Sequence, residues 1–243
     1  EVMSYNFNNS SEGHITGLSL AWVNTEDITI GTGRGRDDTN TVDMVNGASI
    51  TVQIDASAGV NALDGEHAEA TSTWYHVYLI SGPGQTTAGL LNDDGSPTMP
   101  SGYTHKRHIG WIYNASDDHI LQFIQMGTSN LRRVYWNATS SLTRVLNNAT
   151  NTGSYATVSV AIGVPPTAFE FTIRLTAQAG GDNATAFKST DIINTSVWTR
   201  VRVNRSEYQM VTLPCPTNKE FQYESAHSSS ECQAIVKGWS EVI

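Results

Sequence analysis

Apolar and polar side chains alternate along short stretches of this chain, and each stretch ends at Gly, Asn, Asp, Ser or Pro. A period of two sends successive side chains to opposite faces of an extended backbone, which predicts half-buried antiparallel strands. The clearest case is residues 168–175. Phe169, Phe171, Ile173 and Leu175 are expected to face inwards, and Glu170, Thr172 and Arg174 outwards. A slip of one residue would bury the charges, so the register is well specified. The same pattern predicts strands at 15–23, 28–32, 49–54, 73–80, 108–113, 119–126, 131–136, 155–162, 201–203, 208–213, 221–225 and 233–239. So many strands exceed one small sheet, and the expected fold is all-β, an antiparallel sandwich or jelly-roll. Helix signals are confined to a short turn near 61–70, where Ala and Glu cluster.

The punctuation suggests a division. Residues 137–154 are rich in Asn, Thr and Ser and read as an exposed loop or linker. The chain is therefore expected to comprise a β region at 1–136, the loop, and a second β region at 155–243 packing with the first, as one fold or as two packed β subdomains. There is no heptad pattern, fixed-period repeat or low-complexity tract.

Composition narrows the function classes. Only 15% of the 243 residues are charged, while Thr, Ser, Asn and Gly abound, a balance of extracellular or virion-surface β proteins. A net charge of −9, from 23 acidic and 14 basic side chains, disfavours nucleic acid and anionic membranes as partners. No run of 18 apolar residues marks a membrane span, and the first residues lack the basic and apolar parts of a secretory signal. Residue 1 is Glu, from which a preceding segment is expected. The two cysteines, Cys215 and Cys232, fit either a disulfide between neighbouring strands or buried thiols.

Between residues 73 and 127 the chain becomes distinctive. It reads TWYHVYLI, then GLLNDDGSPTMPSGYTHKRHIGWIYN, then ILQFIQMG. This run resembles the C-terminal module of bacteriophage and prophage tail-fibre proteins. That family has a Tyr-His-Val-aromatic-Leu-Ile strand, a Pro-x-x-Pro-x-Gly-Tyr loop, a basic cluster entering Ile-Gly, and a strand ending Phe-x-Gln-x-Gly. The corresponding segments here are 75–80, 97–103, 106–110 and 123–127, in that order. Flanking stretches at 28–41, 63–76 and 234–239 agree, and the likeness is weak from 131 to 221. His108 departs from the family, which often has a second Arg there.

The resemblance implies a non-enzymatic virion protein, located at the virion surface or tail. It implies a homotrimer in contact with other virion proteins and with a host cell-surface glycan or protein. A capsid decoration or head-fibre protein is the alternative, and a glycan depolymerase a lesser one. The motif itself reads as scaffold. Pro97 and Pro100 fix a turn that Gly102 completes, and Gly110 suggests bare backbone under the ring of Trp111.

Candidate chemistry is sparse. Cleaving a glycosidic bond needs two spaced carboxylates. The pairs Asp37–Asp38, Asp93–Asp94 and Asp117–Asp118 sit among Gly, Asn and Ser, where Asp forms turns, and neighbours in extended chain point apart. No catalytic residue or cofactor is expected.

Among His14, His67, His76, His105, His108, His119 and His227 no spacing fixes a metal site, and none is assigned. GTGRGR at 31–36 lacks the ending of a phosphate loop and reads as a strand end. The sequons at Asn8, Asn9, Asn114, Asn137, Asn148, Asn183, Asn194 and Asn204 follow from an Asn-, Ser- and Thr-rich composition. Of Trp22, Trp74, Trp111, Trp136, Trp198 and Trp239, most lie in alternating stretches and belong to the core. Trp136 and Trp198 are the candidates for exposed receptor contact.

Overall fold

A computed structural model describes residues 13–56, 58–137, 142–149, 154–178, 185–189, 201–203, 208–225 and 231–243. They contain nineteen strands and no helix, so no helix among them is long and apolar enough to cross a membrane. In chain order the first ten are β1 Ile15–Gly17, β2 Leu20–Trp22, β3 Asp27–Ile30, β4 Gly33–Arg36, β5 Asp43–Asn46, β6 Ile50–Gln53, β7 Thr73–Ser81, β8 Ala88–Asn92, β9 His105–Asn114 and β10 Phe123–Met126. The others are β11 Leu131–Trp136, β12 Arg144–Ala149, β13 Ala156–Ser159, β14 Glu170–Gln178, β15 Thr185–Ser189, β16 Val201–Val203, β17 Tyr208–Pro214, β18 Glu220–Ser225 and β19 Glu231–Val242.

Every pairing between these strands is antiparallel. A nine-stranded sheet runs β17-β14-β19-β11-β10-β2-β3-β6, with β12 also paired to β19. Smaller sheets run β1-β4-β5, β8-β7-β9 and β13-β18-β15-β16. The all-β antiparallel expectation therefore holds, in a sandwich type of fold with several packed sheets.

The two halves of the chain share both sheet and core. Strands from before residue 137 and after residue 154 lie side by side in the nine-stranded sheet, where β11 pairs with β19 from Leu131↔Val242 to Tyr135↔Gly238. One core cluster joins Ile28, Ile30, Val52, Val77 and Leu79 to Phe171, Ile173, Phe187, Phe221 and Val236. Rings bridge the halves as well. Trp136 packs 4.9 Å from Trp239 and 5.9 Å from Trp74, and the indoles of Trp74 and Trp136 donate to the carbonyls of Ala161 and Gly163 at 2.9 and 3.0 Å.

Several expectations need correction. The stretch 137–154 is not wholly loop: β12 lies within it and pairs with β19, and Thr143 is buried. The 61–70 segment is no helix. Its Leu63 bridges Leu91, with Leu91 N donating to Ala62 O and Asp64 N to Leu91 O, so backbone pairing with β8 wins over helix propensity.

The strand expected at 15–23 divides at Gly17 and Leu18, whose φ values of 71° and 54° turn the chain from the β1 sheet into the nine-stranded one. Phe169, expected inside, is 45% exposed because β14 begins after it, whereas Phe171, Ile173 and Leu175 are fully buried. Gly110 adopts φ 147° at a register shift between β7 and β9. A Cβ there would lie 2.9 Å from Leu20 Cδ1. GRGR is strand β4, and Cys215 and Cys232 are thiols, not a disulfide.

Candidate functional site

The most developed polar cluster lies where the 58–70 segment meets the end of β8. Asn92 is fully buried, and its carbonyl oxygen accepts from the amides of Asp94 at 3.2 Å and Gly95 at 2.6 Å, closing a tight turn. Its amide nitrogen donates to Asp64 Oδ2 at 3.1 Å. Asp64 is also fully buried, and its remaining capacity is filled by the Thr98 amide at 2.8 Å and by His67 Nδ1 at 2.5 Å. A buried carboxylate with three donors is the arrangement that desolvation demands.

His67 turns its other nitrogen outward. Nε2 stands 3.1 Å from Asp93 Oδ1 and 3.8 Å from Asp94 Oδ2. The hydrogen bond to Asp64 first, and then the negative charges of Asp64, Asp93 and Asp94, raise the imidazole pKa above its usual value against the opposing effect of burial. Asp94 is held below the ordinary carboxylate range, chiefly by the Ser96 amide that donates to its Oδ1 at 2.8 Å.

Next to this cluster is a face of aromatic rings on β7 and β9. The His76 ring lies 3.7 Å from that of Trp111 and 5.0 Å from that of His108, and the Lys106 ammonium sits 4.9 Å above the Tyr78 ring. Burial, reinforced by nearby positive charge, lowers His76 to about 4 and His108 to about 3, so both rings are neutral at pH 7. Met99 and Tyr103, from the Pro97 to Tyr103 loop, pack against Tyr78, Ile80, Ala88 and Leu90. The turn closed by Asn92 reaches this face too, since a Cβ on Gly95 would lie 3.1 Å from His76 Nε2.

The other candidates fall into place separately. Asp37 closes its own loop, accepting from the Thr41 and Val42 amides at 2.7 and 2.8 Å and the Thr39 hydroxyl at 2.5 Å. Asp38 reaches the His108 amide at 3.4 Å. Asp118 has φ 63° and accepts from Asn114, while Asp117 lies 3.5 Å from His119. These are turn positions. Asp93 and Asp94 also sit at a turn, but they converge on His67.

Trp136, the candidate for receptor contact, is only 3% exposed. Its own strand explains this: burial alternates along β11, and Trp136 shares the inward face with Arg132 and Val134. Trp198 lies outside the described residues. Asp64, Asn92 and the role of His67 were not visible from the sequence, because the 64–67 and 92–95 segments meet through the long-range pairing of Leu63 with Leu91. The one available signal was a His and an Asp three residues apart beside a second Asp-rich turn. The chain matches no protein-family model and no curated protein.

Proposed function

We propose that this chain is a non-enzymatic structural protein of a bacteriophage virion, a tail-fibre-like module that attaches the particle to a host surface as a homotrimer. The observation that carries this reading is the ordered occurrence of the segments 75–80, 97–103, 106–110 and 123–127, which resembles the C-terminal module of phage tail fibres. Their positions support a common framework: 75–80 lies in β7, 106–110 lies in the paired β9, and the intervening loop packs Met99 and Tyr103 onto β7 and β8. The fourth segment forms β10 and ends at Gly127, whose carbonyl accepts from Arg132.

A framework of that kind leaves contact to other surfaces. On the outward face of the nine-stranded sheet, Ile124, Met126, Leu131, Tyr135 and Val242 are each at least 38% exposed. Ile124 pairs with Tyr135, and Leu131 with Val242, so these side chains lie in adjoining rows. Exposed aliphatic rows suit assembly with a second protein surface, and three copies would give weak host contacts avidity.

The test is particle labelling. An antibody raised against the chain is expected to decorate the tail end of intact virions from the source culture, and sedimentation of the purified protein to give three chains per particle. Labelling confined to the head, or no labelling, overturns the tail assignment. A single-chain species overturns the trimer.

A further inference from the structure

We infer that His67, Asp93 and Asp94 form a binding site for one divalent transition-metal ion, for which Zn²⁺ is the appropriate probe. One atom from each residue, an imidazole nitrogen and two carboxylate oxygens, lies within 4.8 Å of both others. For Zn²⁺ the bonds to such atoms are about 2.0–2.2 Å, which spaces the donors by about 3.3 Å. The 3.1 and 3.8 Å separations from His67 Nε2 need only small side-chain adjustments to reach that spacing.

Two further observations point to a cation. The first is the group behind the histidine. Asp64, fully buried and locked by Asn92 and Thr98, holds Nδ1 at 2.5 Å, so the proton sits on Nδ1 and the lone pair of neutral His67 is presented at Nε2. A carboxylate orienting a histidine in this way is the usual support of a metal ligand. The second is Asp93 Oδ1, which is sealed from solvent and has His67 Nε2 as its polar neighbour at 3.1 Å, so both atoms face one common point. Without an ion, a proton on Nε2 bridges the two atoms, and a metal ion bound there takes the place of that proton.

The donors also select the ion. One nitrogen with two carboxylate oxygens suits Zn²⁺ or a similar first-row ion, whereas Ca²⁺ and Mg²⁺ prefer oxygen alone and Cu(I) prefers sulfur. The Asp94 side chain is 56% exposed, which leaves an entry path and room for water to complete the coordination. Bound there, the ion would tie the 58–70 segment to the turn after β8.

The experiment uses tag-free protein stripped with a chelator and titrated with ZnCl₂ in a calorimeter. One ion per chain is expected. His67→Gln is expected to abolish binding. Asp94→Asn keeps the oxygen that accepts from Ser96, and is expected to lower affinity by about tenfold or more with an unchanged circular dichroism spectrum. If His67→Gln does not fold, Asp94→Asn carries the test. Absence of binding, equal affinity in Asp94→Asn, or displacement of Zn²⁺ by millimolar Ca²⁺ or Mg²⁺ would overturn the site.

Discussion

Replacing Glu241 with Gln changes one atom in the interior and gives a measurable pH signature. Glu241 is fully buried on the inward face of β19. Its Oε2 accepts from the Thr167 hydroxyl at 2.9 Å, and that oxygen accepts in turn from the Trp111 indole at 2.8 Å. Burial pushes the carboxyl from its usual 4.5 up to about 7, outweighing the side chains of Thr167 and Trp239 and the Arg132 guanidinium.

The sign is opposite to that of a salt-bridged acid. Below pH 4.5 both folded and unfolded states hold the proton, and Glu241 contributes nothing to the pH dependence. Between 4.5 and about 7 the folded state keeps a proton that the unfolded state releases, so stability falls as pH rises. The difference amounts to ~3 kcal/mol across that window, at ~1.4 kcal/mol per pH step of one. Urea unfolding of wild type and Glu241→Gln from pH 5 to pH 8 measures it. The wild type is expected to lose stability relative to the variant by up to ~3 kcal/mol over this range. Parallel pH profiles for the two proteins would refute the reasoning, because groups other than Glu241 contribute equally to both.

Two further expectations concern the interior. Arg132, fully buried, donates to the carbonyls of Gly17 at 2.6 Å and of Gly127, joining the turn after β1 to the turn between β10 and β11. Arg132→Met should cost ~3 kcal/mol in urea unfolding by stranding both carbonyls, and Arg132→Lys should recover under half of that, since an ammonium lacks the planar fork. Cys232 is buried and Cys215 half-buried, with the Lys219 ammonium 3.6 Å from the Cys215 sulfur. A thiol reagent should therefore titrate at most one group in the native protein and two in denaturant, and a reducing agent should leave Tm unchanged.

How much the sequence disclosed follows from how each strand is buried. β11 and β16 appear where alternation placed them, and β14 differs mainly at Phe169. β8 was invisible for the opposite reason. All five of its residues are buried, Gly89 lies so close to Val52 and Ile30 that no Cβ fits, and a strand covered on both faces shows no period of two. Trp136 could not be placed by alternation: Leu131, Arg133 and Tyr135 on one face and Arg132, Val134 and Trp136 on the other each include one Arg, and the Asn-rich stretch that follows suggested exposure. The metal-ligand set was only half legible. Asp93 and Asp94 are turn residues, as their company with Gly95 implied, and nothing local pointed them at His67.

The sequence by itself determined the all-β antiparallel class and most strand positions, because alternation and turn residues are local consequences of one-sided burial. The tertiary structure decided that β11 and β19 join the halves in one sheet, that Trp136 is interior, and that Asp64, His67, Asp93 and Asp94 meet. Those outcomes depend on which strands pair across long separations. Such pairing is set by the summed packing of the whole core, and no short window of residues contains it.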